Sequence, residues 1–111
     1  MSTKVEGFDD LNYPDDLLSI IRNGFQHTSK PKHVLILGGG MAGLVAASLL
    51  KRAGHAVTVL EGNNRIGGRV YTVREPFTCG NYLDFGAMRI PGSHQLVFEY
   101  IKQFNLPVNR F

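Results

Sequence analysis

The chain has 111 residues, 43% of them hydrophobic and 19% charged, with 13 glycines and a single cysteine, which allows one modest core and excludes two complete domains. Cys79 alone permits neither an internal disulfide nor a structural zinc site, no apolar run reaches the roughly 18 residues of a membrane span, and MSTKVEGFDD lacks the order of a signal peptide, so a cytoplasmic protein without membrane contact is the expectation. The net charge of +3 divides into one lysine against five acids over residues 1–16 and eleven Lys or Arg against four acids thereafter; those basic residues stand singly, which argues against nucleic acid and suits a small phosphate-bearing ligand.

Residues 1–12 are acidic and without periodicity, and read as a mobile leader. A helix is expected from Pro14, with Asp15 and Asp16 at its positive end, Leu17, Leu18, Ile21 and Phe25 on one face, and Asn23 and Gly24 as its stop. QHTSKPK, residues 26–32, reads as a linker, which places a boundary near residue 31 and divides the chain into 1–31 and 32–111. HVLIL then has the continuous apolar character of a strand buried on both faces. It is followed by GGGMAG, a helix over Ala42 to Ala53 stopped by Gly54, and a second strand, AVTVL, ending at Glu61. Strand, glycine turn, helix and strand within about thirty residues make a βαβ unit with parallel strands and a right-handed crossover.

Beyond Glu61, NNRIGGRV reads as a glycine-centred turn, Val70 to Val73 and Tyr82 to Phe85 as short strands, and Pro76 to Gly80 as a loop. A final helix follows GAMRIPG, capped by Ser93, carrying Leu96, Val97, Tyr100, Ile101 and Phe104 on one face, and ended by Asn105 and Pro107.

Gly38, Gly40 and Gly43, with Met41 and Ala42 between the last two, have the Gly-x-Gly-x-x-Gly spacing of a dinucleotide site. The first glycine permits the turn, the second lets backbone approach a pyrophosphate, and the third lets helix and sheet pack closely. Glu61, 18 residues after Gly43, stands where a carboxylate accepts ribose hydroxyls and repels a 2′-phosphate, favouring FAD or NAD over NADP. The alternative is a tight turn followed by a solvated glutamate. Arg65, Gly67, Gly68 and Arg69 bring a second glycine pair and two guanidinium groups to the same pyrophosphate, which favours FAD over NAD; two solvated arginines around a turn are the alternative.

LILGGGMAG followed by VTVLEGNNRIGGRVYT resembles the N-terminal FAD-binding region of the flavin-containing amine oxidase superfamily. DFGAMRIP, EYIKQFNLP and IIRNGFQHTSKPKHV narrow that resemblance, over residues 13–111, to the L-amino-acid oxidases. The fold it implies is α/β, part of a Rossmann-like FAD-binding domain preceded by a helix. The function it implies is oxidative deamination of L-amino acids, with dioxygen, to 2-oxo acids, ammonia and hydrogen peroxide. By the same resemblance Arg89 pairs with the substrate carboxylate, and Gly86, Ala87 and Met88 lie with it along the flavin ring. An arginine serving phosphate or local backbone, and a plain turn over residues 86–88, are the alternatives.

No catalytic residue and no metal ligand set is assigned: Cys79 reads as a packed or loop thiol, His27, His33, His55 and His94 have no ligand spacing, and Tyr82, Phe85 and Tyr100 read as core. In the enzymes it resembles, the substrate domain comes from later sequence. The expectation is therefore an N-terminal fragment that is inactive alone, with homo-oligomers open to the full-length form. A truncated, non-catalytic nucleotide-binding remnant and an oxidase of amines are the competing readings.

Overall fold

A computed structural model describes residues 10–110, so the reading of residues 1–9 as a mobile leader lies outside the described residues. The chain divides into two units, one formed within residues 10–24 and 91–110, the other by residues 25–90.

The first unit is a pair of helices, α1 (Asp15–Asn23) and α3 (Gln95–Gln103). Pro14 stands at the N-cap of α1, one position earlier than a first helical residue, and its carbonyl accepts the Leu18 amide at 2.9 Å. Asp15 and Asp16 occupy the first turn and Arg22 the last, each on the side of the helix dipole that favours its charge. Gly24 ends the helix at φ 77°. The Ser93 cap expected for α3 does not form: His94 takes the N-cap position and gives no side-chain cap bond, which leaves the Ser93 hydroxyl one residue too far back. At the other end Asn105, at φ 50°, lets the amides of Leu106 and Asn105 return to Ile101 and Lys102 at 2.9 and 3.1 Å. That is the paired bonding of a Schellman cap, with asparagine in the left-handed position that glycine usually takes.

Ile21 is buried between the helices, Gln103 Nε2 donates to the Ile21 carbonyl at 3.0 Å, and Arg22 Nη2 donates to Glu99 Oε2 at 2.9 Å. Glu99 is only 9% exposed while the Arg22 side chain is half open to solvent. The Arg22 hydrogen bond, aided by the charges of Arg22 and Lys102, holds the Glu99 carboxyl below its ordinary 4.5 against the opposing effect of burial.

The second unit carries the βαβ motif. Strands β1 (His33–Leu37) and β2 (Ala56–Leu60) pair in parallel from His33↔Ala56 to Leu37↔Leu60, joined by α2 (Met41–Arg52). The helix stops at Ala53, where Gly54 (φ 94°) and His55 donate back to Lys51 and Leu50 at 3.0 and 3.1 Å, a second Schellman cap. The same end of α2 receives the segment expected to be a linker. The Thr28 amide donates to the Ala53 carbonyl at 2.8 Å, and the His27 ring lies so close to Gly54 that a Cβ there would be 2.7 Å from Cε1. With these contacts residues 25–31 belong to the compact unit of the βαβ motif, whereas α3 lies in the unit of α1.

Strands β3 (Val70–Val73) and β4 (Leu83–Gly86) form an antiparallel ladder from Val70↔Gly86 to Val73↔Leu83. Thr72 donates its hydroxyl to Asp84 on one face, and Tyr71 stacks on Phe85 with ring centroids 6.1 Å apart on the other. The core of the unit is thin. Leu49 and Ala53 of the α2 region are buried, whereas β1 alternates between half-buried and exposed, with Leu35 and Leu37 at 59% and 81% exposure. The expectation of a strand covered on both faces is thus not met, because α2 covers one face only. Tyr82, just before β4, and Phe85, within it, are expected in the core but are exposed, and Tyr100 is half-buried.

Because the folded Glu99 carboxyl lies below its unfolded value, the Arg22 pair adds stability above that value and loses it as pH falls through the folded one. Melting curves of the native protein and of Glu99→Gln should therefore differ near pH 7 and converge below the ordinary carboxylate value of 4.5; a difference that persists in acid would assign the effect to packing.

Candidate functional site

The site is built where β1 runs into α2. Gly38 turns the chain at φ 104°, and its amide donates to the Leu60 carbonyl at 2.7 Å, so the turn is tied to the end of β2. A Cβ on Gly43 would collide with the Gly38 carbonyl oxygen, so the first turn of α2 packs directly on the loop that precedes it. Gly40 is different. It is extended, caps the helix, and a Cβ on it would meet nothing within 4 Å, which leaves open space in front of the helix.

Leu44 is the first residue whose amide closes back into α2, onto the Gly40 carbonyl at 3.0 Å. The amides of Met41, Ala42 and Gly43 therefore have no intrahelical acceptor. No acid stands in that first turn and no side chain caps it, so the positive end of the helix is available to an anion.

Glu61, directly after β2, is half-buried beside this turn. Its Oε2 accepts the Gly39 amide at 2.7 Å and its Oε1 accepts the Asn63 amide at 2.9 Å. The Asn63 and Gly39 bonds, with smaller help from the Gly62 amide and the Arg65 charge, hold the carboxyl below 4.5 despite the cost of burial. It is ionised at neutral pH, and each oxygen keeps a lone pair for a hydroxyl donor.

The second glycine turn rests on the first. The Gly67 amide donates to the Gly39 carbonyl at 2.8 Å, and a Cβ on Gly68 would lie 3.5 Å from the Gly40 Cα. Gly67 and Gly68 both take positive φ, 106° and 58°, and the Val70 amide closes the turn onto the Gly67 carbonyl at 3.0 Å. Arg65 is turned onto this backbone, donating to the carbonyls of Ile66, Gly68 and Val70. Arg69 is exposed, and its carbonyl oxygen fills the place a Cβ on Gly86 would need, with Gly86 at φ 92°. Close contacts thus join Gly38 to Gly43, Gly40 to Gly68, and Gly39 to both Glu61 and Gly67, with Arg65 bonded to the second turn, Met41 and Ala42 in the first turn of α2, and Gly86 against the Arg69 carbonyl. Ala87, Met88 and Arg89 lie exposed beyond the end of β4.

Sequence reasoning missed Gly39. It is buried, gives its amide to Glu61 and its carbonyl to Gly67, and a side chain on it would press on Glu61 and Ile66 at 3.1 and 3.2 Å. The signal was present: the run GGGMAG has one glycine more than Gly-x-Gly-x-x-Gly requires. Tyr71, under Arg65, was also missed, and no spacing pointed to it. Cys79 is an exposed thiol. Among the described residues no three His, Cys, Asp or Glu side chains are placed to hold a metal ion, and no helix is long and apolar enough to cross a membrane.

Residues 41–111 match the family described as flavin containing amine oxidoreductase. YobN of Bacillus subtilis (strain 168), whose name gives it an inferred L-amino-acid oxidase activity, is 56% identical over 97 residues, 87% of this chain and 20% of its own length. The L-amino-acid oxidases of Notechis scutatus scutatus and Trimeresurus stejnegeri are 49% and 51% identical over 106 residues, each covering 96% of this chain and 20% of the relative. The chain spans about a fifth of the length of these curated relatives. The family match begins at the first residue of α2 and takes in most of the sequence, and on that ground the chain belongs to the flavin-containing amine oxidoreductases.

Proposed function

We propose that this chain supplies the FAD-binding portion of an oxidase that converts L-amino acids and dioxygen to 2-oxo acids, ammonia and hydrogen peroxide. The observation that carries the reading is the joining of two glycine turns around one ionised carboxylate, Gly67 on Gly39 and Gly39 on Glu61. The identities of about 50% to L-amino-acid oxidases support the choice of substrate. When bound, FAD supplies the two-electron acceptor and passes the electrons to dioxygen.

The residues present fit such a group. Gly40 leaves space where a Cβ would stand, and the amides of Met41, Ala42 and Gly43 would receive a pyrophosphate at the helix end. Glu61, fixed by two amides, would accept the ribose hydroxyls with its remaining lone pairs. Arg69, exposed beside the second turn, would add a cation.

Arg89 would hold the substrate. A planar guanidinium binds a carboxylate bidentately and fixes which face of the α-carbon is presented for hydride removal. An amine without a carboxylate has no use for that group.

Two measurements test the reading on the protein as its source cells make it. Glu61→Ala should weaken FAD binding about ten- to a hundredfold, the worth of hydrogen bonds to a charged acceptor; full flavin occupancy at limiting FAD would remove the ribose contact. In the flavin-loaded oxidase, Arg89→Ala should raise KM for L-amino acids at least about tenfold. An unchanged KM would withdraw Arg89 from the substrate and turn the reading toward amines.

A further inference from the structure

The second glycine turn has two positive-φ residues in succession and exposed surroundings, so something must hold its shape. Arg65 does so. Its Nη2 donates to the Gly68 carbonyl at 2.6 Å, and its Nη1 reaches the carbonyls of Ile66 and Val70, both at 3.2 Å. Those three acceptors lie on the two arms of the turn that the Val70 amide closes onto Gly67. The Cζ of the same guanidinium lies over the Tyr71 ring, 4.1 Å from its centroid, and Tyr71 stacks on Phe85 across the β3–β4 ladder. One side chain therefore binds the turn from inside and attaches it to the strand pair that follows.

We infer that Arg65 is a positioning residue for the cofactor site and not a ligand of the cofactor: its guanidinium, clamped between three carbonyls of the second glycine turn and the Tyr71 ring, sets the shape in which that turn meets the first. This assignment rests on the FAD reading and divides the two arginines of the segment by role. The donors of Arg65 are directed to its own loop, while Arg69 is exposed. The device requires arginine. A lysine ammonium could satisfy one or two of the carbonyls, but it has no plane to lay on Tyr71 and no fork to span the arms of the turn.

The consequence travels through a short path. With the clamp removed, Gly67 and Gly68 regain the wide conformational freedom of glycine, and the Gly67 amide no longer meets the Gly39 carbonyl in one geometry. Gly39 is also the donor to Glu61. A change at Arg65 therefore loosens the carboxylate's surroundings through the backbone, beside removing the small direct effect of the Arg65 charge on Glu61.

The experiment compares the native protein with Arg65→Lys, Arg65→Ala and Tyr71→Leu in two readouts. In the flavin-free protein, hydrogen exchange at the Gly67 and Val70 amides should accelerate at least about tenfold in Arg65→Ala and Arg65→Lys, and less in Tyr71→Leu, because a hydrogen bond to a charged donor is lost in the first two and only ring contact in the third. In FAD titrations Arg65→Ala should bind weakly and recover in part when guanidinium ion, but not an equal concentration of ammonium, is added. Unchanged amide exchange in Arg65→Ala would overturn the inference, as would equal rescue by the two ions. If FAD fails to bind the native protein, the functional proposal falls and the exchange readout still decides the clamp. Should Arg65→Ala fail to fold, Arg65→Lys carries the comparison, and native exchange rates in that variant refute the need for a planar group.

Discussion

A buried glycine amide after β1 and a carboxylate after β2 hold each other at 2.7 Å, and the geometry of the site follows from that bond between Gly39 and Glu61. Parallel strands are linked to each other along their length by the ladder, but their ends diverge into different turns. Here the ends are tied twice, by Gly38 to Leu60 through backbone and by Gly39 to Glu61 through a side chain. A Cβ at position 39 would stand 3.1 Å from Glu61 Oε2 and 3.2 Å from Ile66 Cγ2, so a side chain there requires both neighbours to give way. The opposite side of Gly39 then takes the second glycine turn through its carbonyl. The turn after β1, the residue directly after β2 and the glycine turn six residues further on meet at one residue that has no side chain.

This arrangement matters more because the apolar core is small. Among the described residues the buried hydrophobic side chains are Ile21, Leu49 and Ala53, and the second unit rests on two-stranded ladders with Leu35, Leu37 and Leu60 exposed. Two-stranded pairs are marginal by themselves in water. Local geometry is therefore set by directional bonds: Schellman caps at the ends of α2 and α3, the Arg65 bonds within the second turn, and the amides gathered on Glu61. Such bonds fix shape over a few residues whatever covers the sheet. That is why the turns are well defined on a scaffold whose apolar faces are open.

The regular elements could be read from the sequence because each carries its own local signal. Asp15 and Asp16 with Gly24 bound α1, Gly54 stops α2, and HVLIL and AVTVL are β-branched or leucine-rich runs of strand length. The glycine spacing with a following acid likewise marks the turn between β1 and α2 and the carboxylate beside it. Legibility ended where a fact depends on residues far apart. No periodicity announces that residues 25–32 would bind the end of α2 through Thr28 and His27, or that Glu99 would be buried by Arg22 across 77 positions. Ser93 looked like a cap because the residue type was right, but the helix begins one residue later than that cap requires. Arg65 and Arg69 read alike as sequence, and only the path of the backbone around Arg65 separates them.

The placement of an acid beside an anion-binding helix end needs its own explanation. An unscreened carboxylate near the start of α2 would repel phosphate. Glu61 offsets this because its charge is taken up by the Asn63, Gly39 and Gly62 amides and, to a smaller degree, by the Arg65 charge. The helix keeps its own first-turn donors unspent, with no acid among Met41, Ala42 and Gly43. Positive potential at the helix end and negative charge at the strand end can therefore coexist a few residues apart. A dinucleotide needs both, a pyrophosphate that seeks donors and a ribose that seeks acceptors, and a single phosphate would make use of only one. In the FAD reading proposed above, Gly39 is the residue that lies between those two charges.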